Sequence, residues 1–417
     1  MLAPRYAAPS SVNLYELPGS LPAGGVSEGL LLVEQRHVAL VPAIQRSSAL
    51  IRKGFMTHSI FQPYQLGDLQ LQNRIAMCPM TRCRADAEHA PTALVAEYYE
   101  QRASAGLIIT EGVAPSPSGK GYARIPGLWS EAQVAGFAEV TRRVHARGAK
   151  IFAQIMHTGR VSHPLNMPAG TEVIAPSAVP LTTGKMWTDQ EQMQDYPTPR
   201  AMTLAEVERT VDEHVVAAKN AIRAGFDGVE LHGANGYLTE QFLNANTNLR
   251  TDRYGGSVEN RARFALEVLS AMASAIGKQR VGVRFSPYGV ASGMSPYPEV
   301  DATYAYLADE LTKLGIVYVH VVDHSAQGAP PVPAAIKATI RERFKGTLIA
   351  AGGFELASAE RAIDDGSADL VAFGRPFLAN PDLVSRLVHG QPLAAADMAT
   401  AFSMGPKGYT DYPTFGA

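Results

Sequence analysis

The chain has 417 residues, with 37 basic side chains against 39 acidic ones and a formal net charge of −2. This balance excludes the strongly basic surface that nucleic-acid binding needs, so we expect no nucleic-acid partner. No segment approaches the roughly 18 uninterrupted apolar residues of a transmembrane helix, so we expect a soluble, cytoplasmic protein without a membrane partner. The two cysteines, Cys78 and Cys83, form no CxxC pair, which excludes a disulfide framework and a zinc or iron–sulfur site.

Residues 1–55 differ in composition from the rest of the chain. They are rich in Ala, Pro, Ser and Gly, show no sustained periodicity, and carry five basic and three acidic residues. We interpret them as a poorly ordered extension, or as a wrongly assigned start, with one domain spanning residues 56–417. A leader for organelle import is the alternative, but Glu16, Glu28 and Glu34 argue against it, because such leaders contain few acidic residues.

From Phe61 onward, short β-branched runs alternate with helical patterns. Alternation of this kind predicts βα units around a parallel sheet. The predicted strands are residues 74–78, 107–110, 150–154, 228–232, 281–285, 317–322, 347–351 and 369–373. The predicted helices are residues 92–104, 130–147, 204–224, 258–276, 302–314, 333–344, 357–365 and 381–388. Thr203 and Glu206 have the spacing of a capping box at the start of the third helix.

Eight strands, each followed by a helix, predict an α/β fold of the (β/α)8 TIM-barrel type. A doubly wound open sheet is the alternative, but it would normally show a GxGxxG turn after its first strand, and none follows Cys78. One long excursion, residues 159–202, comes after the third strand, on the face where barrel enzymes have their active sites. We expect this excursion to cap the pocket.

Polar residues at the carboxyl ends of the strands identify a candidate site, because these ends meet at one mouth of the barrel. The seventh and eighth strands run into Gly352-Gly353 and Gly374-Arg375. Loops at these two positions commonly bind phosphate, and glycines allow close approach of backbone N–H groups. The sequence therefore predicts a phosphorylated cofactor or substrate. The alternatives are that these glycines only form turns, and that Arg284 in the fifth strand pairs with a buried carboxylate.

The fourth strand ends in His232, followed closely by Asn235 and Tyr237. His232 and Asn235 can both donate hydrogen bonds to one oxygen, which would polarise a carbonyl group, and Tyr237 offers a phenolic proton. A purely structural role for His232 is the alternative. We expect no metal site, because His157 and His163 flank a glycine turn and His320 and His324 lack an obvious carboxylate as third ligand.

Seven blocks carry a resemblance to a known family over residues 61–415. They are NRIAMCPMTR (73–82), EYYEQRASAGLIITEG (97–112), QIMHTGR (154–160), VELHGANGYL (229–238), LRTDRYGGSVENRAR (249–263), AFGRPFLANPD (372–382) and GYTDYP (408–413). In these blocks the chain resembles the FMN-dependent ene-reductases of the old yellow enzyme family, and among them the N-ethylmaleimide reductase-like members.

The resemblance implies a role for each candidate residue in binding FMN. Pro79, Met80 and Thr81 would line the flavin, and Gly112 would lie beside its ring system. Gln154 would bond to the pyrimidine edge, and Arg284 would place positive charge near N1 and O2. The phosphate would be bound by Gly352, Gly353, Gly374 and Arg375.

The resemblance also implies the reaction. NADPH or NADH would reduce FMN, and the same site would then take an α,β-unsaturated carbonyl, imide or nitro compound whose oxygen is bound by His232 and Asn235. Tyr237 would protonate the substrate, and Tyr122 would form a wall of the substrate pocket. We expect a monomer or homodimer. The alternatives are a flavin-binding redox sensor with little turnover and a non-flavin enzyme that acts on a phosphorylated substrate.

Three positions depart from common patterns of the family. Met156 stands where many relatives have tryptophan, so a flexible thioether replaces a flat ring at this position. Relatives often have histidine at the position of Asn235. The yeast-type members have asparagine there, as this chain does. Phe402 stands where relatives often have a pocket tyrosine. We therefore expect the substrate range to differ, whereas the flavin site is complete.

Overall fold

The computed structural model describes residues 58–416. The predicted extension, residues 1–55, lies outside the described residues. Within the described part, eight parallel strands form a closed barrel in which each strand pairs with the next and the last pairs with the first. These strands, labelled β1 to β8, are Ile75–Met77, Leu107–Val113, Lys150–Ile155, Gly228–Gly233, Val281–Phe285, Tyr318–Val322, Thr347–Ala351 and Leu370–Phe373. The predicted TIM barrel is confirmed.

Eight helices follow the eight strands, as predicted. Their bounds are Ala93–Gln101, Glu131–Ala146, Leu204–Arg223, Val258–Ile276, Val300–Leu314, Ala334–Arg343, Leu356–Asp364 and Leu383–His389. Two shorter helices, Leu238–Leu243 and Arg375–Ala379, were not predicted. The capping box is confirmed, since Glu206 N donates to Thr203 Oγ1 at 3.2 Å and Thr203 N donates to Glu206 Oε2 at 2.8 Å. No helix of the described chain is both long and apolar enough to cross a membrane.

The strands are buried on both faces, as is typical of a parallel barrel covered by helices. β2 extends three residues beyond its prediction, because its pairing with β3 shifts register between Ile109 and Gly112. The irregular stretch contains Glu111, whose carboxylate accepts hydrogen bonds from the backbone of Arg82 and Cys83. The bulge in β2 thus holds, through these hydrogen bonds, the segment that follows β1.

A β-hairpin before the barrel was not predicted. Its strands, Tyr64–Leu66 and Leu69–Leu71, pair antiparallel around Gly67, which has a φ of +54°. Leu66 and Leu71 are buried in the same cluster as Leu107 and Tyr318, the first residues of β2 and β6. The hairpin therefore closes the end of the barrel at which the strands begin.

The excursion after β3 contains two short strand pairs. Met186–Thr188 pairs antiparallel with Gln192–Gln194, and Ile174–Ala175 pairs parallel with Arg200–Ala201. Leu181 and Met186 from this excursion pack with Tyr122, Tyr196 and Tyr237. The excursion thus covers one side of the predicted site, behind its tyrosines.

Three arginines bind the backbone of the segment that follows the last helix. Arg82 donates to Gly408 O at 2.6 Å, Arg84 donates to Ala401 O at 2.8 Å, and Arg102 donates to a carbonyl of the same segment at 3.2 Å. Arg82 and Arg102 are among the largest fully buried side chains. A buried guanidinium needs acceptors, and these carbonyls supply them, so residues 401–409 are bound firmly at the mouth of the barrel.

Candidate active site

A cavity of about 560 Å³ opens at the carboxyl ends of the strands. Every barrel strand except β2 contributes to its wall, either directly or through the loop that follows. Twelve of the 14 residues predicted for the site line this cavity: Pro79, Met80, Thr81, Gln154, His232, Asn235, Tyr237, Arg284, Gly352, Gly353, Gly374 and Arg375. The structure therefore brings together strand ends that lie far apart in sequence.

Gly112 and Tyr122 lie behind the wall rather than in it. A methyl group on Gly112 would come within 2.5 Å of the Met156 sulfur, so Met156 packs directly on this glycine. Met156 itself lines the cavity. Tyr122 reaches the site through Tyr237, since their hydroxyl oxygens are 2.9 Å apart.

One end of the cavity is built for an anion. Gly353 has a φ of +68°, and a methyl group there would lie 2.3 Å from Ala326 Cβ, so the position requires glycine. The backbone N–H groups of Gly353, Gly374 and Arg375 donate to no acceptor within residues 58–416. Arg375 is exposed and makes no ion pair with a described carboxylate. Free N–H groups and a free guanidinium around glycines fit a phosphate.

Arg284 lies in the wall with its guanidinium unused. The residue is 5% exposed, its buried Nε has no hydrogen-bond partner, and no described carboxylate forms an ion pair with it. The predicted alternative, a pair with a buried carboxylate, is therefore not observed in this part of the chain. An unpaired buried cation is costly, so a ligand that presents acceptor oxygens to Arg284 would be favoured in this cavity.

A buried network orients Gln154. Glu230 is fully buried, and its carboxylate accepts from Gln154 Nε2 at 2.8 Å and from His320 Nδ1 at 2.9 Å. Since the amide nitrogen of Gln154 is occupied, its carbonyl oxygen is left for a donor in the cavity. Sequence reasoning missed Glu230, although it lies two residues before His232 on the same face of β4. The sequence pattern showed no carboxylate to serve beside His320 and His324 as a third metal ligand. Glu230 bonds to His320, but the described residues contain no group of three side chains that could hold a metal ion.

His232 is placed as a neutral hydrogen-bond donor. Its Nδ1 accepts from the backbone N–H of Ala234 at 3.3 Å, so the ring proton resides on Nε2. Burial, followed by the nearby charge of Arg284, lowers the pKa of His232 well below its ordinary value. The ring packs edge to face against Tyr237 at 4.8 Å. His232 therefore offers an N–H group to the cavity without carrying charge.

Asn235 has a left-handed backbone, with a φ of +61°, which asparagine tolerates better than most residues. Its N–H donates to Ser286 Oγ at 2.9 Å, and its side-chain oxygen lies 2.7 Å from His324 Nε2. His324 lines the same cavity. Sequence reasoning considered His324 only as a metal ligand and missed this contact, which joins residues 89 positions apart.

Tyr237 retains its proton at neutral pH. Burial raises the pKa of Tyr237 to about 12, while the hydrogen bond from Tyr122 opposes the rise. Burial also raises the pKa of Tyr122 well above its ordinary value. Two protonated phenols in contact thus lie at the wall of the cavity, beside His232 and Asn235, where they could serve as a proton source.

The outer rim of the cavity is apolar. Met398 and Phe402, from the segment that follows the last helix, line the mouth of the cavity. Their exposed fractions are 52% and 55%. Exposed apolar side chains at the mouth of a pocket favour contact with an apolar ligand. No residue of the excursion, 159–202, is part of the cavity wall.

Comparisons with known proteins identify the family of the chain. A model described as the NADH:flavin oxidoreductase / NADH oxidase family matches residues 59–394. A Leishmania infantum protein named a probable flavin mononucleotide-dependent alkene reductase is 42% identical over 357 residues, which cover 85% of this chain and 97% of that protein. Morphinone reductase in complex with tetrahydroNAD is 44% identical with a TM-score of 0.82, covering 85% of this chain and 97% of the other. The old yellow enzyme homologue from Zymomonas mobilis is 39% identical with a TM-score of 0.82, covering 85% and 99%.

Proposed function

Because the chain belongs to the NADH:flavin oxidoreductase / NADH oxidase family, the family of old yellow enzyme, we propose that it reduces activated C=C bonds. Its substrates are α,β-unsaturated carbonyl, imide or nitro compounds, and its reductant is NADPH or NADH. One observation carries the proposal. Two uncharged donors, His232 and Asn235, and one protonated phenol, Tyr237, share a cavity with an unpaired buried arginine and a glycine-lined anion site.

The residues of the cavity fit FMN. Gly352, Gly353, Gly374 and Arg375 would bind its phosphate, and the free backbone N–H groups support this assignment. Arg284 would supply positive charge to the pyrimidine side, and the Gln154 oxygen would accept a ring N–H there. Pro79, Met80 and Thr81 would line the ring system, and Gly112 would contribute through Met156. When bound, FMN supplies a hydride, taken from the reduced nicotinamide and passed to the β-carbon of the alkene.

His232 and Asn235 activate the substrate. Both donate hydrogen bonds to its carbonyl, imide or nitro oxygen, which withdraws electrons from the C=C bond and makes the β-carbon electrophilic. Because His232 is neutral, it polarises the oxygen without transferring a proton to it. Burial strengthens both hydrogen bonds, since little water competes inside the cavity.

Tyr237 completes the reaction by donating its phenolic proton to the α-carbon. Its high pKa keeps the proton in place until negative charge develops on the substrate. Tyr122 then donates toward the Tyr237 oxygen and stabilises the phenolate that remains. A proton from solvent restores the pair for the next turnover.

The test is an anaerobic visible spectrum of the purified protein, recorded before NADPH, after NADPH and after cyclohexenone. We expect an oxidised flavin band that bleaches with NADPH and returns with the enone. A colourless protein that cannot be reconstituted with FMN would overturn the proposal. A band that bleaches but does not return with any activated alkene would favour a flavin-binding redox sensor instead.

A further inference from the structure

His324 contacts the amide of Asn235 from the loop that follows β6. The side-chain oxygen of Asn235 lies 2.7 Å from His324 Nε2, and the side-chain nitrogen of Gln327 lies 3.2 Å from His324 Nδ1. His324 is partly buried, whereas Gln327 is exposed. Both belong to the cavity wall, so the three side chains form a chain of hydrogen bonds along one side of the site.

The direction of these hydrogen bonds follows from the chemistry of the groups. An amide nitrogen only donates, so Gln327 donates to His324 Nδ1. The remaining ring proton of a neutral His324 is then on Nε2, and it donates to the Asn235 oxygen. The amide nitrogen of Asn235 makes no hydrogen bond to residues 58–416. It is therefore free for a ligand oxygen in the cavity.

The neighbouring charges leave this arrangement intact. Asp323, the nearest carboxylate in sequence, accepts from Lys337 Nζ at 2.6 Å and from the backbone of Ser325 and Val332. It is therefore satisfied without His324. Burial, then the charge of Arg284, lowers the pKa of His324, and the charge of Asp323 opposes this only in part, so the ring is neutral near pH 7.

We propose that His324 is a positioning residue, which orients the Asn235 amide so that its nitrogen rather than its oxygen faces the substrate oxygen. The inference rests on the proposed function, since it assigns a task to the same site. Without His324 the amide can rotate by half a turn, and its carbonyl oxygen would then repel the substrate oxygen. Gln327 contributes indirectly, by selecting the tautomer of His324.

The experiment measures binding of an unreactive oxygen ligand, 4-hydroxybenzaldehyde, to the oxidised FMN-loaded protein through the change in the flavin spectrum. His324→Phe retains a ring but removes the donor, and we expect the dissociation constant to rise about tenfold, as for one lost hydrogen bond. His324→Gln restores a donor, and we expect binding within about threefold of wild type. Gln327→Ala should also raise the dissociation constant, but by less than His324→Phe does.

A double-mutant cycle tests whether His324 acts through Asn235. Asn235→Gly removes the amide and suits the left-handed backbone. If the proposal holds, His324→Phe weakens binding in the wild-type background and has no further effect beside Asn235→Gly. Additive effects of the two changes, or wild-type binding by His324→Phe, would overturn it.

The same cycle separates this inference from the proposed function. Loss of ligand binding in Asn235→Gly with no loss in His324→Phe refutes only the positioning role. Unchanged binding in Asn235→Gly refutes the proposed oxygen site itself. If His324→Phe purifies without flavin, the two other variants test the positioning role. This role then requires that Gln327→Ala bind the ligand more weakly than wild type and that His324→Gln bind it almost as well as wild type.

Discussion

The hydroxyl oxygen of Tyr237 lies 2.9 Å from that of Tyr122, with the two rings edge to face. Tyr237 belongs to the cavity wall and Tyr122 lies behind it. The hydrogen bond lowers the pKa of Tyr237 and raises that of Tyr122, so Tyr237 is the phenol that gives up its proton more readily.

Tyr237→Phe should therefore slow alkene reduction by about 10²- to 10⁴-fold, the usual worth of a positioned general acid. Reduction of the flavin by nicotinamide should change much less, because it needs no proton from this residue. Stopped-flow spectroscopy of the two half-reactions makes the comparison, with Tyr122→Phe expected to show a weaker effect of the same kind. Equal losses in both half-reactions would contradict the assigned role.

Gly353→Ala should impair binding of FMN. The added methyl group would meet Ala326 Cβ at 2.3 Å in a left-handed backbone, and the loop must shift to relieve the clash. Gly366→Ala is the matched control, since Gly366 also has a positive φ of +74° but open space around its Cβ. Equilibrium dialysis or flavin fluorescence gives the two dissociation constants. Similar losses in both variants would mean that backbone strain, rather than the clash at the anion site, is responsible.

Phe402→Ala should affect large substrates more than small ones. Phe402 lies at the rim, so we expect a long substrate to reach it and a simple enone not to. Loss of an apolar contact costs about 25 cal/mol per Å² that is no longer buried, so KM for cinnamaldehyde should rise several-fold. KM for acrolein should stay constant. A uniform change in both would show that Phe402 supports the site rather than selecting its substrate.

The stability of the protein should depend on pH through His214. This residue is buried and bonds to Thr210 O at 2.7 Å, and burial lowers the pKa of its imidazole to about 4. Between pH 6.5 and 4 the unfolded chain binds a proton there that the folded chain does not, so stability falls as pH falls. His214→Phe removes this dependence. The difference in unfolding free energy between variant and wild type should change by about 1.4 kcal/mol per pH unit in this window and be constant above pH 7. Thermal or denaturant unfolding at several pH values provides the measurement, and a difference that does not vary with pH would contradict the assignment.

A chain of residues 56–417 should fold and bind FMN without the preceding 55 residues. The barrel closes within residues 58–416, and the family model begins at residue 59. We expect the flavin content and the alkene reductase rate of the shortened chain to match those of the full chain. Loss of flavin from the shortened chain would show that the extension belongs to the functional domain.

The barrel was predictable because seven of its eight strands are largely apolar runs of four to seven residues, and each of the eight is followed by a helical pattern. Tyr64–Leu66 and Leu69–Leu71 were not predicted, because they precede the alternation of strands and helices and only a two-residue turn separates them. The end of β2 was placed too early, because a register shift at a bulge depends on pairing with β3 rather than on local sequence.

The candidate site was predicted where its residues lie at or just after the carboxyl ends of strands, as Arg284 and Gly353 do. What was missed depends on contacts between distant segments. Glu230 meets Gln154 only because β3 and β4 pair in one register, and His324 meets Asn235 only because their loops share a mouth. Such contacts are set by tertiary geometry, which no spacing within one segment encodes.

The three arginines that bind residues 401–409 have a consequence for the order of assembly. Arg82 and Arg102 come early in the chain, whereas the carbonyl groups they bind are synthesised after the eighth strand. The barrel can therefore close before Met398 and Phe402 reach its mouth. Until then the cavity has no outer rim, so a ligand that bound at this stage would enter through a wider opening than the complete fold presents.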